Sequence, residues 1–222
     1  YNVVDGNGGS IAGSQSYNLT AVNDVIALDT RINTYTTSGQ NSPSLAAFND
    51  GSFVVIWQSL GQDGASHGIY GQCYDATGAA QGPEFRVNTY TASNQQEPSV
   101  TSLANGGFVV TWQSNGQNGA GSSGIYGQRY GSDGNPQGTE FQISDIAGIA
   151  PSQSSVTALP NNGFVATWQS YNALTDDFDI YAQIYDATGV KQGTEFNITN
   201  SVAKAQELPT ITALSNGFVV TW

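Results

Sequence analysis

Oxygen-bearing side chains gather in two stretches of the chain that are rich in small polar residues. Asp63 lies in the first stretch, and Asp176, Asp177 and Asp179 lie in the second. Calcium takes about six to eight oxygen ligands, including carboxylates and backbone carbonyls, so both stretches are candidate Ca²⁺ sites. Neither matches the D-x-[DN]-x-[DN]-G pattern of an EF-hand loop, and the prediction therefore rests on composition and position.

A second group of candidates suits a sugar ligand. Tyr35, Tyr90 and Tyr171 are aromatic residues of polar, loop-like segments, where a ring can stack on a sugar. The alternative interpretation is that these rings are lids that cover the edge of the underlying sheet. His67 and Asn118 lie in comparable segments and complete the candidate ligand-binding residues.

Evidence for catalysis is weaker. His67 is the sole histidine, and the sequence has no nucleophile elbow and no metal-ligand cluster. Glu84, Glu140 and Glu195 recur at one position of a repeat, which indicates a structural role. We therefore expect a protein that is not an enzyme, and we rank a polysaccharide hydrolase with paired carboxylates as the third alternative.

The elements that position these residues repeat along the chain. Trp57, Trp112, Trp168 and Trp222 each end a Phe-Val-(Val/Ala)-(Ile/Thr)-Trp motif, and they are spaced by 55, 56 and 54 residues. Three further motifs keep the same period: Pro-Ser before the tryptophan motif, and Ile-Tyr and Glu-Phe after it. Each is rich in β-branched and aromatic residues and is bounded by Gly, Asn, Asp or Pro, so each repeat contains four strands.

The tryptophan strand indicates how the repeats pack. Phe53, Val55 and Trp57 share one face, while Val54 and Ile56 share the other, so both faces of the sheet must be covered. Tight Asn-Gly and Asp-Gly turns make successive strands antiparallel. These features predict an all-β, β-propeller-like array of four-stranded antiparallel repeats, with a β-sandwich as the competing fold. The repeated glutamines are expected to hydrogen-bond the backbone of a neighbouring blade; they are Gln72, Gln128 and Gln183.

The ends of the chain suggest how the array closes. Segment 31–36 matches 86–91, which belongs to the fourth strand of the first full repeat. We expect a flexible leader at 1–15 and one repeat domain over 16–222. Its units are 34–88, 89–144, 145–199, and 200–222 completed by 16–33. This arrangement gives four blades with the termini sharing one blade; the alternative is a longer parent with more blades.

The net charge limits the classes of molecule that the protein can bind. The chain has 5 basic and 17 acidic residues, a formal charge of −12, and this field repels nucleic acid and anionic membranes. No apolar run reaches the ~18 residues of a membrane span, so no membrane insertion is expected. Cys73 is the single cysteine and occupies a strand position where other copies have Arg129 and Ile184. We interpret it as a small filler.

The string at 105–114, followed by 124–130 and 138–141, resembles a repeat of large bacterial RTX or hemolysin-type secreted surface proteins, over residues 31–222. The resemblance implies an extracellular, cell-surface location and a role in adhesion or matrix, although the Gly-Gly-x-Gly-x-Asp nonapeptides of that group are missing. We therefore predict a non-enzymatic binding or adhesion module that takes a glycan or another surface polymer at its long loops. The alternative is a structural subunit that binds copies of itself in a filament, sheath or matrix.

Overall fold

A computed structural model describes residues 31–145, 150–172, 176–199 and 205–222, and every regular element among them is a β-strand. Blade 1 contains β1 (Gln40–Ala47), β2 (Phe53–Leu60), β3 (His67–Tyr74) and β4 (Ala80–Arg86). Blade 2 contains β5 (Gln95–Ser102), β6 (Phe108–Asn115), β7 (Ser123–Tyr130) and β8 (Phe141–Gln142). Blade 3 contains β9 (Ala150–Ala158), β10 (Phe164–Asn172), β11 (Asp177–Tyr185) and β12 (Lys191–Asn197). Blade 4 contributes β13 (Thr210–Leu214) and β14 (Gly217–Thr221).

The strand order within each sheet confirms the propeller-like array. Blades 1, 2 and 3 are four-stranded antiparallel sheets in chain order, and β13 pairs with β14 in the same sense. The first strands pack on one another from blade to blade, β1 on β5, β5 on β9 and β9 on β13. First strands are therefore innermost, and fourth strands lie on the outside.

Turn chemistry sets the strand directions. The β1–β2 turn places Gly51 at φ 86°, and the β5–β6 turn places Gly106 at φ 86°. Backbone of this kind is left-handed and suits glycine, which lacks a Cβ. Gly107 and Gly163 meet a different constraint, since a Cβ on either would lie 2.3 Å from the carbonyl oxygen of Tyr130 or Tyr185.

Both faces of the tryptophan strand are buried, as the alternation predicts. In β2, Val54 and Ile56 pack in a cluster with Phe108 and Trp112 of blade 2. On the opposite face, Trp57 packs in a separate cluster of blade 1. The same plan recurs between blades 2 and 3, where Trp168 is fully buried. Because each sheet is apolar on two sides, stacking of blades is the arrangement that removes both from water.

The repeated glutamines correct one expectation. The side-chain amides of Gln72, Gln128 and Gln183 bond backbone carbonyls of their own blade, not of a neighbour. They fill the irregular register between the third and fourth strands, which leaves carbonyls unpaired. The glutamines that do reach the next blade are Gln58 and Gln169, which follow the repeated tryptophan.

The predicted leader and most of segment 16–33, which was expected to complete the last unit, lie outside the described residues, so the shared blade and the unit boundaries stay predictions. No helix in the described part of the chain has the length and apolar character of a membrane span.

Candidate functional site

Each innermost strand begins with irregular backbone at the end of the sheets where the long loops enter. One residue there has a positive φ: 50° at Ser42, 56° at Glu97, 54° at Gln153 and 57° at Leu208. The register of β1 and of β5 shifts at these residues, which marks β-bulges. Bulges re-aim a side chain at the rim of a sheet and are frequent next to active sites.

Glu97 is the carboxylate among these four equivalent positions. Its backbone N–H donates to Oε1 of Gln58 in blade 1 at 2.8 Å. Its carboxylate accepts the N–H of Gln153 in blade 3 at 3.2 Å and the Gln153 side-chain amide at 2.7 Å. Glu97 is half-buried and is held by residues of both neighbouring blades. Its position is therefore determined by the stacking of three blades.

A second carboxylate stands at the same end of the innermost strands. Glu207 is exposed and directly precedes Leu208, whose N–H donates to Oε1 of Gln169 at 2.7 Å. The contact between Leu208 and blade 3 repeats the contact between Glu97 and blade 1. Blades 2 and 4 thus each bring one glutamate to the start of an innermost strand.

The repeated glutamates have a different role. Each accepts a backbone N–H from the loop that enters its own blade: Thr34 to Glu84 at 2.8 Å, Thr89 to Glu140 at 2.6 Å, and Asp145 to Glu195 at 2.7 Å. The second oxygen of Glu84 and of Glu140 accepts a glutamine amide, from Gln62 and Gln117. These bonds tie the outer strand of a blade to its inner loop, in agreement with the structural role expected from their repetition.

Two of the candidate tyrosines occupy equivalent places. The Tyr35 hydroxyl lies 4.0 Å from where a Cβ on Gly61 would stand, and the Tyr90 hydroxyl lies 3.3 Å from the same point on Gly116. Both rings are half-buried against the loop that follows the second strand. Tyr90 also lines an open cavity of about 580 Å³, together with Ser93, Asn115, Gly116 and residues 120–123.

The sequence indicated a loop position for Tyr171, but the structure places this residue in a strand. It belongs to β10, because that strand continues to Asn172 and pairs Tyr171 with Phe178. Its hydroxyl donates to Asp176 Oδ1 at 2.5 Å, and this hydrogen bond raises the pKa of the phenol. The extra strand pairing shortens the loop and gives the tyrosine a carboxylate partner in place of a free rim position.

His67 and Asn118 are also occupied by neighbours. His67 begins β3, and its Nδ1 lies 3.3 Å from Oδ1 of Asn94 in the loop that enters blade 2. Asn118 accepts a hydrogen bond from the hydroxyl of Tyr126. Asp63 holds the place of Asn118 in blade 1, and its Oδ1 accepts the N–H of Ala65 at 3.2 Å.

The candidate metal ligands are not brought together. Asp63 lies in blade 1, whereas the other three candidates follow β10 of blade 3. There Asp177 accepts the N–H of Phe178 at 2.9 Å and Asp179 accepts the hydroxyl of Thr199 at 3.2 Å. Within the described ranges, no group of three or more His, Cys, Asp or Glu side chains is arranged to hold a metal. The calcium site stays a prediction.

Glu97 and Glu207 were missed by sequence reasoning, because both lie beside a proline or leucine in segments that read as connections. A comparison of the aligned copies could have found Glu97, since the position differs in every repeat. The alignment does not reveal the bulge at this position, nor the bonds to Gln58 and Gln153 of the neighbouring blades.

Comparison with known proteins identifies solved structures that share the fold of this chain. No family model matches the chain, and no curated protein matches it either. The RTX resemblance and the extracellular location therefore stay predictions. Among solved structures, an α-L-arabinanase of Penicillium chrysogenum complexed with arabinobiose matches with a TM-score of 0.58 and 17% identity, over 81% of this chain and 58% of that one.

Two further structures support the same fold. A thermostable family-43 glycoside hydrolase matches with a TM-score of 0.50 and 14% identity, over 80% of this chain and 63% of that one. A Hadza microbial sialidase matches with a TM-score of 0.50 and 12% identity, over 68% and 36%. This chain thus spans less than two thirds of each of these proteins.

These matches correct the functional prediction. The adhesion module and the filament subunit were both expected to be non-enzymatic, whereas the solved structures named above are glycosidases. At these identities the likeness shows the fold, and the reaction has to be argued from the residues.

Proposed function

We propose that this chain acts on a polysaccharide, as a glycoside hydrolase whose reacting groups lie where the innermost strands begin. The observation that carries the proposal is Glu97, a carboxylate found in one copy only, half-buried and fixed by both neighbouring blades. Support comes from the glycosidases that share the fold.

Hydrolysis of a glycosidic bond uses two carboxyl groups with different roles. Glu97 accepts hydrogen bonds at both of its oxygens from Gln153, and such donors hold a carboxylate in one orientation. We therefore assign Glu97 as the base or nucleophile. Glu207, which is exposed at the same strand end, is assigned as the proton donor to the leaving oxygen.

The net charge of the protein and the residues that line the cavity beside Tyr90 indicate the substrate class. With a formal charge of −12, the protein repels polyanionic polymers such as polyuronates, so a neutral polysaccharide is the suitable substrate. The cavity beside Tyr90 lies at the same end of blade 2, and its hydroxyl, amide and glycine lining can receive sugar hydroxyls. An aromatic ring beside such groups is suited to stacking on a pyranose or furanose face.

The test is release of reducing sugar from a panel of neutral polysaccharides that includes arabinan. Glu97→Gln removes the charge but keeps the shape, and we expect it to lower the rate at least a hundredfold. Asp186→Asn is the matched control, because it makes the same change at a turn on the opposite end of blade 3 and should leave the rate unchanged.

Glu207→Gln separates the two roles. Loss of the proton donor should spare substrates whose leaving group is an activated phenol, so activity on aryl glycosides should fall less than activity on the polysaccharide. Binding of a polysaccharide with no release of reducing sugar, or equal rates for Glu97→Gln and wild type, would refute the proposal.

A further inference from the structure

Blades 1 and 2 are separated by an open cleft of about 550 Å³ at the tight-turn end, opposite to Glu97. Its apolar lining comes mainly from rings, which include Phe53, Phe85 and Phe108. Its rim carries three carboxylates, on Asp50, Asp75 and Asp133, and no Lys or Arg is among its lining residues.

The corresponding cleft between blades 2 and 3 is occupied by a side chain of the protein itself. Arg129 of β7 extends to the β11–β12 turn, where its Nη2 donates to the carbonyl of Ala187 at 2.8 Å and its Nη1 donates to the carbonyl of Thr188. The planar guanidinium bonds two successive carbonyls at once, a geometry that the ammonium of lysine does not match.

Cys73 occupies the same place in blade 1. It pairs with Val54 of β2, as Arg129 pairs with Val109 of β6. A Cβ on Gly134 of the facing turn would lie 3.6 Å from Cys73 Sγ, and a Cβ on Gly189 would lie 2.8 Å from Arg129 Cδ. The two junctions are thus equivalent, and blade 1 has a short thiol where blade 2 has an arginine.

Because blade 1 has Cys73 in place of an arginine, the facing turn of blade 2 has no guanidinium donor. By this equivalence, Ser132 and Asp133 correspond to Ala187 and Thr188, and no described residue donates a hydrogen bond to their backbone carbonyls. The cleft therefore has backbone carbonyl acceptors equivalent to those that bind the Arg129 guanidinium between blades 2 and 3. Its lining also includes aromatic rings on which an arginine can stack.

The rim charges are maintained at neutral pH. Hydrogen bonds from Ser52 hold the pKa of Asp50 below its ordinary value, those from Thr77 and Ala79 do so for Asp75, and those from Asn135 do so for Asp133. Negative charges at the mouth of an apolar cleft attract a cation.

We propose that the cleft between blades 1 and 2 binds an arginine side chain of a partner polypeptide, with its guanidinium on the carbonyls of Ser132 and Asp133. The occupant is identified by the protein's own use of Arg129 in the equivalent cleft. The site is independent of the glutamates at the other end of the blades.

The test is a titration of ¹⁵N-labelled protein with the peptide acetyl-Gly-Arg-Gly-amide, with matched lysine and citrulline peptides as controls. We expect saturable shifts confined to the amides of Cys73 and residues 131–135. The lysine peptide should bind several-fold more weakly, because it cannot bond two carbonyls in one plane, and the neutral citrulline peptide should not bind. Equal shifts with the arginine and lysine peptides, or no shifts, would overturn the proposal.

Two variants locate the site. Cys73→Arg should fill the cleft with an internal guanidinium and abolish peptide binding, whereas Cys73→Ala leaves it open and should retain binding. Peptide binding that is unchanged by a folded Cys73→Arg protein contradicts the assignment.

A measurement on the wild-type protein guards against a variant that fails to fold. Cys73 should react on the order of tenfold faster with a cationic methanethiosulfonate than with an anionic one of similar size, because the rim concentrates cations. The thiolate attacks the reagent sulfur, forms a mixed disulfide and releases methanesulfinate. Equal rates for the two reagents would contradict a cation-binding cleft.

Discussion

The two junctions between successive full blades share serine-to-backbone hydrogen bonds between their first strands and differ in other side chains. At the first, Ser44 Oγ accepts the N–H of Val100 at 3.1 Å; at the second, Ser99 Oγ accepts the N–H of Val156 at 3.3 Å. Beyond these shared bonds, Arg129 closes the second junction on its outer side, whereas Cys73 leaves the first one open. Repeated contacts therefore determine how blades stack, and positions that differ between copies determine which surfaces remain available.

The largest effect should come from the stacked aromatic pair that faces the first junction. Phe108 is 1% exposed and stacks on Tyr130 with ring centroids 4.6 Å apart. We expect Phe108→Ala to lower the free energy of unfolding by about 3–5 kcal/mol through the lost burial and the cavity that remains. Urea denaturation measures it.

The matched change in blade 1 sharpens that comparison. Phe53 stacks on Tyr74 at 4.9 Å but is only half-buried, so Phe53→Ala should cost less than Phe108→Ala. Equal losses in the free energy of unfolding for the two variants would mean that the packing of Phe108 between blades 1 and 2 does not add to stability.

A smaller effect is expected at the second junction. Arg129→Ala removes two hydrogen bonds to the turn of blade 3, and we expect a loss of about 1 kcal/mol, since the guanidinium is partly solvated. Arg129→Lys should recover less than the full loss, because an ammonium does not bond both carbonyls in one plane. Full recovery with lysine would show that charge alone matters there. Thermal denaturation of the three proteins provides the comparison.

The turns between third and fourth strands place their carboxylates at different positions. Hydrogen bonds from the backbone of Val190 and from the Thr188 side chain hold the pKa of Asp186 below its ordinary value of 3.8. A depressed folded pKa contributes stability that is present above the unfolded pKa and is lost as the pH falls through the folded pKa. Asp75 of blade 1 behaves alike, through Thr77 and Ala79. Blade 2 has Gly131 at this position and places its carboxylate two residues later, on Asp133, whose pKa is lowered by hydrogen bonds from Asn135.

We therefore expect Asp186→Asn to lower the melting temperature at pH 6, with a difference from wild type that shrinks as the pH falls below about 3.8. Melting curves between pH 2 and pH 6 test this. A difference that stays constant across that range would show that the carboxylate charge does not stabilise the turn.

The smallest effect concerns the thiol of the open junction. Burial raises the pKa of Cys73, so less thiolate is present at neutral pH than in an unfolded chain. Iodoacetamide should alkylate the folded protein at pH 7.5 roughly tenfold more slowly than the urea-unfolded protein. Equal rates would mean that the thiol is as solvated as in the unfolded chain.

The sequence by itself determined the repeat, the strands and the need to bury both faces of each sheet. Trp57 and its counterparts, with the alternating apolar residues around them, carry that information locally, because side chains of a strand alternate between its faces. The repetition of Glu84 likewise indicates a structural role, which agrees with the hydrogen bond that it accepts from Thr34.

Tertiary structure decided what the non-repeated residues do. Glu97 becomes a candidate reacting group because it lies at a bulge and is held by two neighbouring blades, through partners 39 and 56 positions away in the chain. Tyr171 proved to be a strand residue because pairing with Phe178 extends β10. Cys73 leaves a cleft only because the turn of the next blade faces it. Local sequence carries strand and turn preferences, whereas these positions depend on contacts between blades, which form only when the sheets stack.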